Sequence, residues 1–224
     1  MADPQTQAVM RSLIKVWADF AVDLDTVPLI DKLMRGKYRI DDYRKLLINH
    51  RQQVIEGARW IARAASSITS DYADQRAMLL QHALAEHRDY KMLEADYVAV
   101  GGELADILHA EKNIGTEALH AFMYQRASEP NPFDLLGSMF IIEGLGQKKA
   151  GEWGRRIKQQ LSLRDDQVSF LLYHSTNNQD HMQQFEAMLS SGVLDIDDMD
   201  KKILRTAKVV ARLYRLQLEE IGNV

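Results

Sequence analysis

Residues 70–102 read SDYADQRAMLLQHALAEHRDYKMLEADYVAVGG. Their apolar positions recur every three and four residues, the period of a helix with one face turned inward. No run alternates apolar and polar residues, and the Gly101-Gly102 pair is a natural helix stop. The stretch predicts a long helix over 70–100. Within it His82, Glu86 and Asp89 stand at i, i+4 and i+7, on one narrow face at about 100° per residue. Met78 and Leu93 continue the same face, so these polar groups fall where an ordinary core would be apolar.

The rest of the chain follows the same pattern. Only four prolines occur, Pro4, Pro28, Pro130 and Pro132, and each stands where a helix should begin or stop. No Asn-Gly or Asp-Gly hairpin signal appears. Further helices are predicted over 5–24, 28–35, 40–67, 116–127, from Pro132 to about 161, over 165–176 and 177–190 (one kinked unit or two), and over 199–221. With no linker, low-complexity segment or repeat, residues 1–224 are expected to form one all-α domain, a multi-helix bundle.

Composition narrows the function. The 224 residues are 46% hydrophobic, ample for a core, and carry a net charge of −4 with a pI of about 6.0. A basic face that would mark a nucleic-acid binder is missing. The absence of cysteine removes disulfides, thiolate metal sites and any thiol nucleophile. The N-terminal stretch has no signal-peptide core, and the most apolar runs fall far short of the roughly 20 residues of a membrane span. A cytoplasmic protein acting on a small molecule, without nucleic-acid or membrane partner, is the expectation. Ile203, Val209, Val210, Leu213, Leu216 and Leu218 spread around much of the last helix, which leaves room for a homodimer contact beside core packing.

Other residues extend the polar stripe. In HSTNNQDH, His174, Asn178 and His181 repeat the i, i+4, i+7 spacing. Glu143 lies inside FDLLGSMFIIEGLG (133–146), and a Glu in such company is rarely buried unless paired or ligating. Asn49, Gln53, Glu56 and Trp60 share one side of their helix. His and carboxylate side chains converging from several helices are how metal sites are built inside bundles. A plainer reading stands beside each: a solvated face for His82, Glu86 and Asp89, structural histidines at 174 and 181, and a Glu56 paired with Arg51 or Arg59. His50, His87, His109 and His120 read as structural or surface residues.

PLIDKLMRGKYRIDDYRKLLINHRQQVIEGARWIA (28–62) resembles the early helices of the haem-oxygenase-like superfamily, which includes the thiaminase-II (TenA) proteins, the pyrroloquinoline-quinone synthesis oxidase and the haem-oxygenase-like di-iron oxidases. HALAEHRDYKMLEADYVAVGG (82–102) resembles its next helix, and HSTNNQDH resembles the His-x3-Asp-x2-His mark of the di-iron subgroup. The resemblance spans roughly residues 28–190. It implies a haem-oxygenase-like bundle and an O2-dependent non-haem iron oxidase or oxygenase, with two irons and a small substrate such as a fatty acid, an amino acid or a cofactor precursor. The ligands it implies are Glu56 or a neighbour, Glu86, residue 89, Glu143, His174, residue 178 and His181.

Glu143 follows Glu86 by 57 residues and His174 follows Glu143 by 31, spacings of the subgroup's sort. Two positions depart from it: Asp89 stands where a His is expected, and Asn178 where an Asp is expected. Asp89 can still ligate, whereas Asn178 is a poor, neutral ligand; His82, one turn before Glu86, offers an imidazole that could compensate. Haem ligation from the first helix is excluded, since 5–24 contain no His, and the TenA cysteine nucleophile has no counterpart. Arg155 and Arg156 match no site of the quinone-synthesis kind. The alternatives are a metal-free member that binds a ligand or partner, and a TenA-like hydrolase working with a carboxylate alone.

Overall fold

The chain opens on a capped helix. Asp3 accepts hydrogen bonds from the N–H groups of Gln5 and Thr6, and Pro4 occupies the first helical position, where its missing N–H costs nothing. The structure, a computed structural model, describes residues 3–223 except for the side chains of 177–181. Among the described residues there is no strand. The helices are α1 (Pro4–Asp25), α2 (Pro28–Met34), α3 (Ile40–Val54), α4 (Gly57–Ser66), α5 (Ala73–Glu86), α6 (Tyr90–Ala99), α7 (Leu104–His109), α8 (Ile114–Ala127), α9 (Leu136–Leu145), α10 (Gly151–Leu161), α11 (Ser169–Leu189) and α12 (Met199–Glu219). None is long and apolar enough to cross a membrane.

Helix α12 packs against α1, α8 and α9. Two glycines let it come close. A Cβ on Gly137 of α9 would sit 2.1 Å from the Ile203 carbonyl oxygen, and one on Gly115 of α8 would sit 2.4 Å from the Gln217 nitrogen. Ile203, Val210 and Leu218 are buried in this seam, while Val209, Leu213 and Leu216 are half-buried at its edges.

Three predicted boundaries are corrected. The helix expected over 40–67 is two, α3 and α4, with the break at Ile55–Glu56. Val54 and Ile55 are β-branched and Gly57 lacks a side chain, so local helix propensity is weakest there. The helix expected over 70–100 is a 3₁₀ turn at Ser70–Tyr72 followed by α5 and α6, broken at His87–Asp89. There the His87 ring donates from Nδ1 to the Leu84 carbonyl at 2.6 Å, competing with the backbone for that acceptor. The stretch expected from 165, left open as one unit or two, is a single helix over 169–189, and it starts only after a 3₁₀ turn at Asp165–Gln167. Helix α7, six residues long, was too short to show a period.

Two further features position the cavity described below. Between α9 and α10, residues 146–150 form a π-helical turn, a widening of the helix frequent at functional sites. And Asp96 of α6, fully buried, caps α11 from outside: its carboxylate accepts the Ser169 and Phe170 N–H groups, each at 3.0 Å, and the Ser169 hydroxyl at 2.7 Å. Burial raises the Asp96 pKa, and these hydrogen bonds pull against that rise. The cap fixes the start of α11, and with it Phe170, Leu171 and His174 one turn on.

Candidate functional site

A small cavity of about 70 Å³ lies where α3, α4, α5, α9, α11 and α12 meet. That is room for a handful of waters or a few ligand atoms. Most of its wall is apolar, including Trp60, Ile61, Met139, Ile142, Phe170 and Leu171. Its polar lining consists of His50 and Gln53 from α3, His82 and Glu86 from α5, Glu143 from α9, His174 from α11 and Tyr214 from α12. No Lys or Arg lines it.

The polar groups meet in pairs. His82 Nε2 lies 3.4 Å from Glu143 Oε1, with the two residues 3% and 6% exposed. His174 Nε2 lies 3.4 Å from Asp89 Oδ2, and His174 is 7% exposed. The His174 ring packs on Phe170, centroids 4.3 Å apart, and against Tyr173 at 5.3 Å. His50 also stands edge-on to Phe170, at 6.0 Å and 74°. Burial first, and the neighbouring His174 second, push the His50 pKa down to about 4, so it is neutral at neutral pH.

Of the residues the sequence singled out, Glu86, Glu143, His82 and His174 line the cavity, and Asp89 joins through His174 although the α5 helix has ended before it. Asn178 and His181 lie outside the described residues. Glu56 goes elsewhere. The break after α3 turns it toward α8, where Oε2 accepts from the Tyr124 hydroxyl at 2.7 Å and Oε1 from Lys112 Nζ at 2.9 Å, with the Arg59 guanidinium 3.1 Å away. Burial pushes the Glu56 carboxyl up, but the hydrogen bonds from Tyr124 and Lys112 and the charges of Lys112 and Arg59 hold it below its ordinary value.

Lining residues that the sequence did not single out for the site include His50, Phe170 and Tyr214. A signal for His50 was present: it stands three residues before Gln53, at the edge of the face through Asn49, Gln53, Glu56 and Trp60, of which Gln53 and Trp60 line the cavity. Asn49 belongs to a different buried knot, accepting from Asn113 Nδ2 at 2.8 Å and the Thr116 hydroxyl at 3.2 Å.

Whether such residues suit a metal ion depends on donor type and placement. Imidazole and carboxylate groups on the wall of a mostly apolar pocket are the donor types that a divalent transition metal takes. Among the described residues, no three of these side chains are already gathered around one point. The fit is therefore one of chemistry, held as two His–carboxylate pairs.

No family model matches the chain, and no curated protein matches it by sequence. Solved structures do match. One is a domain of unknown function with a heme oxygenase-like fold from Shewanella denitrificans, 19% identical, with a TM-score of 0.86 over 93% of this chain and 89% of that one. A TenA homolog from Pseudomonas syringae pv. tomato is 14% identical, with a TM-score of 0.72 over 97% and 93% of the two chains. A TenA homologue from P. horikoshii is 13% identical, with a TM-score of 0.71 over 98% of each. At such identities the likeness establishes the fold: the bundle is haem-oxygenase-like.

Proposed function

We propose that this haem-oxygenase-like chain is an O2-dependent non-haem iron oxidase or oxygenase, with two irons, acting on a small molecule. The observation that supports the reading best is a pair of His–carboxylate contacts at one apolar cavity, His82–Glu143 buried on its wall and Asp89–His174 partly buried at its edge. Burying carboxylates beside imidazoles costs desolvation energy that a folded core would avoid by using apolar residues.

In this reading Glu86, Glu143 and Asp89 are the anionic ligands, and His82 and His174 the neutral nitrogen ligands, with Asn178 and His181 on the same helix as His174. Iron, when bound, supplies the redox chemistry with dioxygen that side chains lack. The chain's own part is to hold the ligands and to keep water away. Trp60, Ile142, Phe170 and Leu171 make the low-dielectric wall. Asp96 holds the α11 end that carries His174, and the π turn after α9 lets Gly146 and Ala150 join the wall beyond Glu143. A small, mostly apolar substrate is the class such a wall accepts.

Anaerobic Fe(II) loading followed by elemental analysis tests the reading. The wild type should retain iron, and Glu143→Ala should retain much less. Trace metal only in the wild type, with the variant indistinguishable, would sink it.

A second reading has its own support. His82 with Glu143 and His174 with Asp89 stand at mutual contact distance, an arrangement that also suits a metal-free member that binds a ligand in the same cavity, or a TenA-like hydrolase relying on a carboxylate. Saturable binding or cleavage of an aminopyrimidine by metal-stripped protein would favour it.

A further inference from the structure

We propose that His50 is a further metal ligand of the cavity, a third imidazole supplied from α3. The inference rests on the metal reading above and extends its ligand set to a helix that contributes none of the other candidates.

His50 is 3% exposed and lines the same cavity as His82, Glu86, Glu143 and His174. Its Nδ1 is buried and makes no hydrogen bond. A buried polar atom left so costs about 1–3 kcal/mol, which a structural histidine normally avoids by taking a backbone partner. The ring packs edge-on to Phe170, and the His174 ring packs on the same Phe170. One aromatic side chain thus sets the orientation of two imidazoles on the same wall. Gln53, one turn on, also faces the cavity, so the polar side of α3 is directed there as a strip. His120 provides the contrast. It is buried too, beside the backbone of Gln53, and it lines no part of this cavity.

Three imidazoles beside carboxylates make a nitrogen-rich donor set. Such a set prefers iron, cobalt, zinc, nickel or copper over magnesium or calcium, which favour all-oxygen ligation. The site should therefore discriminate against magnesium even in large excess.

The test is an anaerobic titration of metal-stripped full-length protein with Co(II), read by calorimetry and by the visible absorption of the bound ion. Wild type, His50→Gln and His120→Gln are compared. Loss of an imidazole ligand should weaken Co(II) binding by about tenfold or more in His50→Gln and move its absorption bands. His120→Gln should match the wild type. If the wild type takes up Co(II) and His50→Gln binds it with the same affinity and spectrum, this inference is overturned and the metal reading stands. If the wild type takes up none, both fall together. Should His50→Gln lose its helical circular dichroism, imidazole ¹⁵N NMR of the wild type decides: a His50 nitrogen that shifts on Zn(II) addition supports ligation, and unchanged His50 nitrogens refute it.

Discussion

Nε2 of His82 and Oε1 of Glu143 face each other at 3.4 Å across the meeting of α5 and α9. Neither residue is more than 6% exposed. The cavity wall around them is mostly apolar, and in the proposed metal reading this contact is a pair of ligands. Glu143→Gln keeps the shape and removes the charge. Metal affinity should fall by about 10–100-fold, while the metal-stripped variant should melt no lower than the metal-stripped wild type, because it no longer buries a carboxylate. Calorimetric metal titration and thermal denaturation check the two halves.

Glu56 should behave in the opposite way. Its carboxylate ties the α3–α4 break to Lys112 and Tyr124, outside the cavity wall. Glu56→Gln should leave metal stoichiometry unchanged and lower stability by about 1 kcal/mol, the scale of a partly exposed, charge-assisted hydrogen-bond set. Elemental analysis and urea unfolding of the same sample measure both.

Asp96 should matter for stability first and for the site second. Its two oxygens hold the first N–H groups of α11. Asp96→Ala removes a buried cap and should cost about 2 kcal/mol or more. Because His174 follows Phe170 by one turn, the same variant should also weaken metal binding without touching a ligand. A shifted urea midpoint together with a raised metal Kd is the expected pair of results.

The close approach of α9 to α12 allows a steric test. A methyl group at Gly137 would press on the Ile203 carbonyl oxygen and the Ala207 nitrogen, both backbone atoms that cannot swing aside. Gly137→Ala should destabilise by about 3 kcal/mol, visible as a clear drop in Tm.

His120 gives the pH dependence of stability a sign. Burial first, then the nearby Lys112 charge, lower its pKa to about 4 in the folded chain, against about 6.5 when unfolded. Between those values the unfolded state binds the extra proton. Stability should fall as pH drops from about 6.5 to about 4, by on the order of 1 kcal/mol per pH unit from this residue. Above pH 6.5 the residue contributes no slope. In His120→Phe the decline should be shallower by that amount, as read from urea unfolding at a series of pH values.

How much of this was legible in the sequence depends on whether the signal was local. The helical class, the caps at Asp3-Pro4 and the stop at Gly101-Gly102 are local properties of propensity and period. The polar stripe of α5 and the isolated Glu143 were legible for the same reason. What was hidden came from packing. The His87 side chain captures a carbonyl where α5 ends, and packing brings His50 to the cavity beside Gln53 while Asn49 goes to Asn113 and Glu56 to Lys112 and Tyr124. The Asp96 cap joins residues 73 apart in the chain, a distance over which no pattern within a helix carries information.

The most direct measurement of the central claim is anomalous scattering at the iron edge from crystals of protein loaded anaerobically with Fe(II). The account predicts anomalous peaks inside the cavity bounded by Glu86, Glu143 and His174, lost in Glu143→Ala. A well-ordered cavity without an anomalous peak at full iron loading, with Glu143 still on His82 and Asp89 still on His174, would contradict it.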